Sequence, residues 1–143
     1  MSLLSSAESI GKWKGAQGEV EIYRFGSIAA YVRMAGIAEQ AAAPVIERAL
    51  DGLFRSAGAL HTFWDLRELT NYHSDVRVYS TNVLLAHRSR LTSVHTLSTS
   101  KIVAMGVSVA NLALGGIITN HKTAASFESA VRGVLMGQVQ ARG

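Results

Sequence analysis

The side chains of this sequence that could do chemistry gather in one polar stretch, DLRELTNYHSDVR at residues 65–77, within an otherwise apolar chain. Asp65 closes the apolar run LHTFWDL, and the ends of buried strands are where ligand-facing residues collect in open α/β sheets. Its carboxylate could act as a base, hold magnesium or balance Arg67; equally, it could accept hydrogen bonds from loop amides. Further on, His73, Ser74 and Asp75 have the residue types of a hydrolytic triad. Adjacency in sequence does not give triad geometry, however, and there is no G-x-S-x-G elbow, so a hydrolase is not expected. The five histidines, His61, His73, His87, His95 and His121, include no pair at the i, i+4 spacing of a helical metal site, and there is no cysteine to supply a thiolate. His61 and His95 fall in expected strands and could approach one another. Few carboxylates stand nearby to complete a metal shell, so packed or hydrogen-bonded histidines are expected, with no metal, no cofactor and no catalytic set.

These residues must be positioned by strands and helices whose periodicity is readable. EVEIYRFGSIAAYVRMAG reads as two strands around the turn at Gly26-Ser27, preceded by GKWKG, whose lysines suit an exposed edge strand. AEQAAAPVIERALDGLFRSAG repeats apolar residues at helical spacing, carries Pro44 in its first turn and stops at Gly58. LHTFWDL is short, aromatic and β-branched, as expected of a strand buried on both faces at the centre of a sheet. A loop over residues 67–75 should follow. The next helix then begins at Asp75, with Val76, Tyr79, Val83 and Leu84 inward. Ser74 could be no more than the cap of that helix. SVHTLST alternates as a strand, and SKIVAMGVSVANLALGG reads as a helix, with a strand as its rival because of its valines and glycines. GIITN is a final strand, and TAASFESAVRGVLMG a helix capped by Thr123 with Phe127, Val131, Val134 and Leu135 inward. Strands alternating with helices imply a mixed, mostly parallel sheet of about five strands with about four covering helices.

Composition narrows the class. With 143 residues, 48% hydrophobic and 17% charged, and a mean hydropathy of +0.19, the chain is one folded domain, with a core over about residues 18–137 and short flexible ends. The longest apolar run is interrupted by Ser108 and Asn111 and falls short of the roughly 20 residues of a membrane span. No signal peptide is apparent, and a soluble cytoplasmic protein is expected. The net charge of +4 is unevenly placed: residues 1–75 hold nine acids and seven bases, residues 76–143 one acid and seven bases. No aromatic residues interleave with those bases, which makes nucleic acid an unlikely partner. The helix after Lys101 is apolar over most of its circumference. In a small domain with helices outside the sheet, such a helix leaves Met105, Val109 and Leu112 for a partner, a second copy or a lipid-like ligand.

The order of elements, together with FWDLRELTNYHSDVRVYSTNVLL and KIVAMGVSVANLALGG, resembles STAS domains, the anti-sigma-factor-antagonist fold, and more closely the SpoIIAA-like group, which has affinity with CRAL-TRIO lipid-binding domains. The resemblance covers about residues 18–137 in layout. It implies a non-enzymatic regulatory module of bacteria that binds a protein partner, with Ser74 at the position where antagonists are phosphorylated. His73 stands at the acidic position before that serine, and Asp75-Val76 at the small pair after it. The implied interaction residues are Asp65, Arg67, His73, Asp75, Arg77, Met105, Val109 and Leu112, with carriage of a small apolar or lipid-like ligand as the alternative role.

Overall fold

The computed structural model describes residues 3–142, with side chains to residue 137. Ten regular elements follow in the order β1 (Glu8–Lys14), β2 (Gly18–Phe25), β3 (Ala29–Ala38), α1 (Ala42–Ala57), β4 (Leu60–Tyr72), α2 (Ser74–Ala86), β5 (Leu91–Ser98), α3 (Lys101–Ala113), β6 (Ile118–His121) and α4 (Ala124–Arg142). Short 3-10 turns occupy Leu3–Ser6 and Arg88–Arg90. The sheet has six strands in the spatial order of the chain, β1-β2-β3-β4-β5-β6. The first three pair antiparallel and the rest parallel. With the edge strand at GKWKG counted the sheet has six strands rather than about five; that strand, β1, begins at Glu8, and its hydrogen bonding to β2 extends the folded unit well before residue 18. The amino-terminal end is also more than a tail, because Leu3 and Leu4 pack against a core cluster.

Strand alternation sends successive side chains to opposite faces, so two cores form. One face presents Val20, Ile22, Val32, Trp64 and Leu66 to α1, α2 and α3; the other presents Phe25, Tyr31, Phe63 and Leu97 to Phe127 and Val131 of α4. The α1 stripe of Ile46, Leu50, Leu53 and Phe54 lies on the first core, and the helix stops at Gly58, whose φ of 89° suits a residue without a Cβ. The segment after Lys101 is a helix, capped by Ser100, whose Oγ accepts from the Val103 N–H.

The one substantial departure from expectation is β4. It does not end at Asp65 but continues to Tyr72, so most of the expected 67–75 loop is strand and only His73 separates it from α2. The polar half is extended because its backbone groups have partners on both sides. β3 supplies the ladder on one side, with bulges where Arg33–Ala35 spans Asp65–Glu68 and Gly36–Ile37 spans Leu69–Asn71. On the other side β5 has already ended, and hydroxyls replace it: Thr99 Oγ1 donates to the Arg67 carbonyl at 2.8 Å and Ser100 Oγ to the Thr70 carbonyl at 3.4 Å.

Candidate functional site

The residues singled out from the sequence fall into two groups on opposite sides of the sheet. Asp65 and Arg67 lie on the α4 side. Asp65 is buried mid-strand, accepts from Tyr31 Oη at 2.8 Å, and takes two bonds from the Arg67 guanidinium, from Nε at 2.9 Å and NH2 at 3.0 Å. Arg67 also reaches Glu128 of α4 at 3.4 Å. Burial pushes the Asp65 carboxyl up, but the hydrogen bonds from Arg67 and Tyr31, with the Arg67 charge, outweigh it and hold the group below the usual carboxylate range. Burial and then the bond to Asp65 raise Tyr31 well above an ordinary phenol. A carboxylate so fully engaged is a structural clasp between β3, β4 and α4. Asp65 and Arg67 are thus engaged on the α4 side of the sheet, away from His73, Ser74 and Asp75, because β4 continues as strand past Asp65. Tyr31 and Glu128, which complete the clasp, carry no local signal; only the β3–β4 register, with Arg33 opposite Asp65 and Tyr31 opposite Phe63, brings them in.

The same face holds three histidines. His95 Nδ1 and His121 Nε2 share a hydrogen bond of 2.9 Å with their rings stacked, His121 Nδ1 pairs with Ser126 Oγ at 2.6 Å, and His61 Nδ1 pairs with Ser93 Oγ at 2.8 Å. Phe63 stacks on His95, and Phe127 meets His121 edge-on. Burial lowers the pKa of all three, and for His95 the neighbouring His121 and His61 lower it further. The expected approach of His61 and His95 thus has a third member, His121. No group of three or more metal-binding side chains forms among the described residues.

The second group lies at the rim where β4 and β5 hand over to α2 and α3. His73, not Asp75, is the cap of α2: its Nδ1 accepts from the Asp75 N–H at 3.1 Å. Ser74 is therefore the first helical residue rather than the cap, and it is exposed. Asp75 sits in the first turn, where a negative charge suits the helix dipole, and accepts from Gln40 Nε2 at 2.9 Å. Beside this rim runs α3. Val103, Gly106 and Val107 face the sheet, while Met105 (68% exposed), Val109 (49%), Leu112 (85%) and Ile102 (54%) face solvent. The approach here is close: a Cβ on Gly106 would overlap the Tyr72 hydroxyl, so any larger residue would displace the Tyr72 ring from the end of β4. Arg77, one turn along α2, instead lines an apolar crevice between α2 and α3 that encloses about 80 Å³. No helix among the described residues is long and apolar enough to cross a membrane.

No protein-family model and no curated protein sequence matches this chain. Solved structures do. The anti-sigma factor antagonist SpoIIAA in its unphosphorylated form superposes with a TM-score of 0.58 at 15% identity, covering 80% of this chain and 96% of that one. An uncharacterized protein of the DUF3478 family from Shewanella loihica PV-4, described as having a SpoIIAA-like fold, gives 0.59 at 13% identity, over 89% of this chain and 98% of that one. The chain has the SpoIIAA-like fold.

Proposed function

We propose that this chain is a non-enzymatic regulatory module that docks a protein partner through the first turn of α2 and the outer face of α3, switched at Ser74. The observation that carries the reading is the apolar outer face of α3. Met105, Val109 and Leu112 stand in water on a rigid helix next to the polar rim of His73, Ser74, Asp75 and Arg77. An apolar patch rimmed by polar groups is the usual anatomy of a protein-binding surface. A solved antagonist of an anti-sigma factor shares the fold, which supports a regulatory protein as the partner. Ser74 opens α2, so a phosphate there would stand at the positive end of the helix dipole and compete with His73 for the Asp75 amide. Asp75 would repel the added charge, making modification a means of altering the rim rather than only decorating it.

Photo-crosslinking from position 105 in cells of the native host tests the surface. One stoichiometric protein partner should be captured by the parent chain, be lost with Leu112→Asp, and change in yield with Ser74→Glu, while the melting temperature stays constant. Equal capture by all three chains would remove the reading. A self-crosslink as the only product would instead make the patch a homodimer contact. Phosphate-affinity electrophoresis of protein from the host tests the switch, and a single unmodified band under all growth conditions would end it.

A second reading, a carrier or sensor of a small apolar or lipid-like ligand, is supported by the crevice between α2 and α3, which opens onto Trp64 and Leu66 of the sheet. Native mass spectrometry separates it from the first through the added mass of a retained ligand.

A further inference from the structure

Helix α3 has two apolar faces, and its own domain uses one of them. Val103, Gly106, Val107 and Leu114 are buried on the side of the sheet, while Ile102, Met105, Val109 and Leu112 stand outward. The outward residues are spaced three, four and three apart, which is the a and d spacing of two heptads. A solvated helix face ordinarily carries polar residues at those positions. The polar side chains beside the stripe are already engaged: Ser108 donates its hydroxyl to the Ala104 carbonyl at 3.1 Å, and Asn111 Oδ1 accepts from the Ile118 N–H at 2.9 Å. The residue types suit a two-stranded seam, with β-branched Ile102 and Val109 at a and Met105 and Leu112 at d. From Ile102 to Leu112 the helix rises about 15 Å, so one facing helix of about two heptads would cover the stripe.

Helix α2 runs alongside and parallel to α3, since each returns the chain between neighbouring parallel strands. Its exposed Val78 and Leu85 widen the apolar strip, so that every large exposed hydrophobic residue described except Met136 lies on these two helices. The charges bordering the strip have one sign. From Val76 to the end of the chain the only acid is Glu128, which belongs to α4 on the opposite face of the sheet. Arg77 and Lys101 stand at the end where the two helices start, and Arg88 just past the end of α2. Asp75, the one acid of α2, is held by Gln40. A basic surface would be repelled here, and an acidic one steered in and held.

We infer that the outer seam of α3 receives one amphipathic helix of a partner protein, apolar at a and d over about two heptads and acidic at the positions flanking that stripe. This rests on the docking reading above and names the element and the charge that the partner must bring. A second copy of this chain would bring the same bases to the contact. A lipid surface would reward apolar area without selecting a heptad register.

The full chain, carrying a photo-crosslinking residue at position 102, 105, 109 or 112 in turn, is irradiated in lysate of the native host, and the attachment points on the captured protein are mapped by mass spectrometry. All four positions should attach to one segment of one protein, at residues three or four apart with Asp or Glu beside them. Lys101→Glu puts a carboxylate in the first turn of α3, where the dipole favours it, and so spares the fold. It should lower the yield about threefold or more at low salt, and by less at about 0.5 M salt. Attachment points at alternate residues, or scattered over several segments, would overturn the inference while leaving the docking surface in place. A helical segment without flanking acids, or a yield that Lys101→Glu leaves unchanged, would do the same. Capture of no protein, of lipid alone or of a second copy alone would overturn both the inference and the docking reading.

Discussion

Behind α1, α2 and α3 the sheet presents Val20, Ile22, Val32, Trp64 and Leu66, and the space is filled by aliphatic helix stripes. Under α4 it presents Tyr31, Phe63, Asp65, His95 and Leu97, and one helix must cover a face that three helices cover on the other side. The first face is held by apolar area, which is non-directional and tolerates a gap such as the crevice. The second is held by directional contacts. Phe127 meets Tyr31, Phe63 and His121 edge-on, and Arg67 ties Asp65 to Glu128. Beyond the reach of α4 that face turns ionic, with Arg33 bridging Glu19, Glu21 and Glu68. The lesson is that a lone helix on a sheet is anchored by geometry as much as by area, while the broadly covered side leaves an apolar crevice between α2 and α3.

The strongest test of that difference is Phe127→Ala. It removes a fully buried ring and three aromatic contacts, and should cost about 4 kcal/mol in urea denaturation. Leu50→Ala on the other face should fall at or below this, about 3 kcal/mol; a clearly larger loss there would reverse the comparison. Next is Asp65→Ala, which leaves the Arg67 guanidinium with Glu128 alone and strands the Tyr31 hydroxyl. Removing one partner of a buried pair costs about 3 kcal/mol or more, reduced here toward about 2 because the Arg67 side chain is a third exposed. Tyr31→Phe alone should cost about 1 kcal/mol, and the two changes together less than their sum, because they share one network.

The pH response sharpens the contrast further. His61, His95 and His121 are held below the ordinary value of 6.5, so the folded chain resists protons that the unfolded chain takes up. Their contribution is fully present above about pH 6.5 and is lost as pH falls toward the depressed folded values. Asp65 acts lower, with stability present above 3.8 and lost as pH falls through its folded value. Melting temperatures from pH 8 to pH 5 should therefore decline in the parent chain and decline less in His95→Phe; an unchanged slope would deny the histidines that role. The smallest effect belongs to the outer surface. Leu112→Glu should shift stability by less than about 0.5 kcal/mol while lowering retention on a hydrophobic matrix, since the side chain is 85% exposed.

Much of the layout was legible in advance. Periods of two and of 3.6 residues located the strands and the four helices, because one-sided burial imprints its period on the chain. The exposure of Met105, Val109 and Leu112 followed from a helix apolar around most of its circumference. From Arg67 onward β4 reads as a loop because polar residues usually mark one, yet here β3 on one side and the Thr99 and Ser100 hydroxyls on the other satisfy its backbone. The cap of α2 is His73 rather than the expected Ser74 or Asp75, because its Nδ1 accepts from the Asp75 N–H, and the helix starts at Ser74, one residue earlier than expected.

The sequence by itself determined which residues are apolar, at what period they recur, and hence a central Phe63–Leu66 strand flanked by helices. Only the tertiary structure decided that Asp65 and Arg67 lie on one side of the sheet while Ser74 and Arg77 lie on the other, and that His95 meets His121. Periodicity is a local property, written into neighbouring residues. Pairing across strands depends on register, and a bulge of one residue changes which face a side chain reaches.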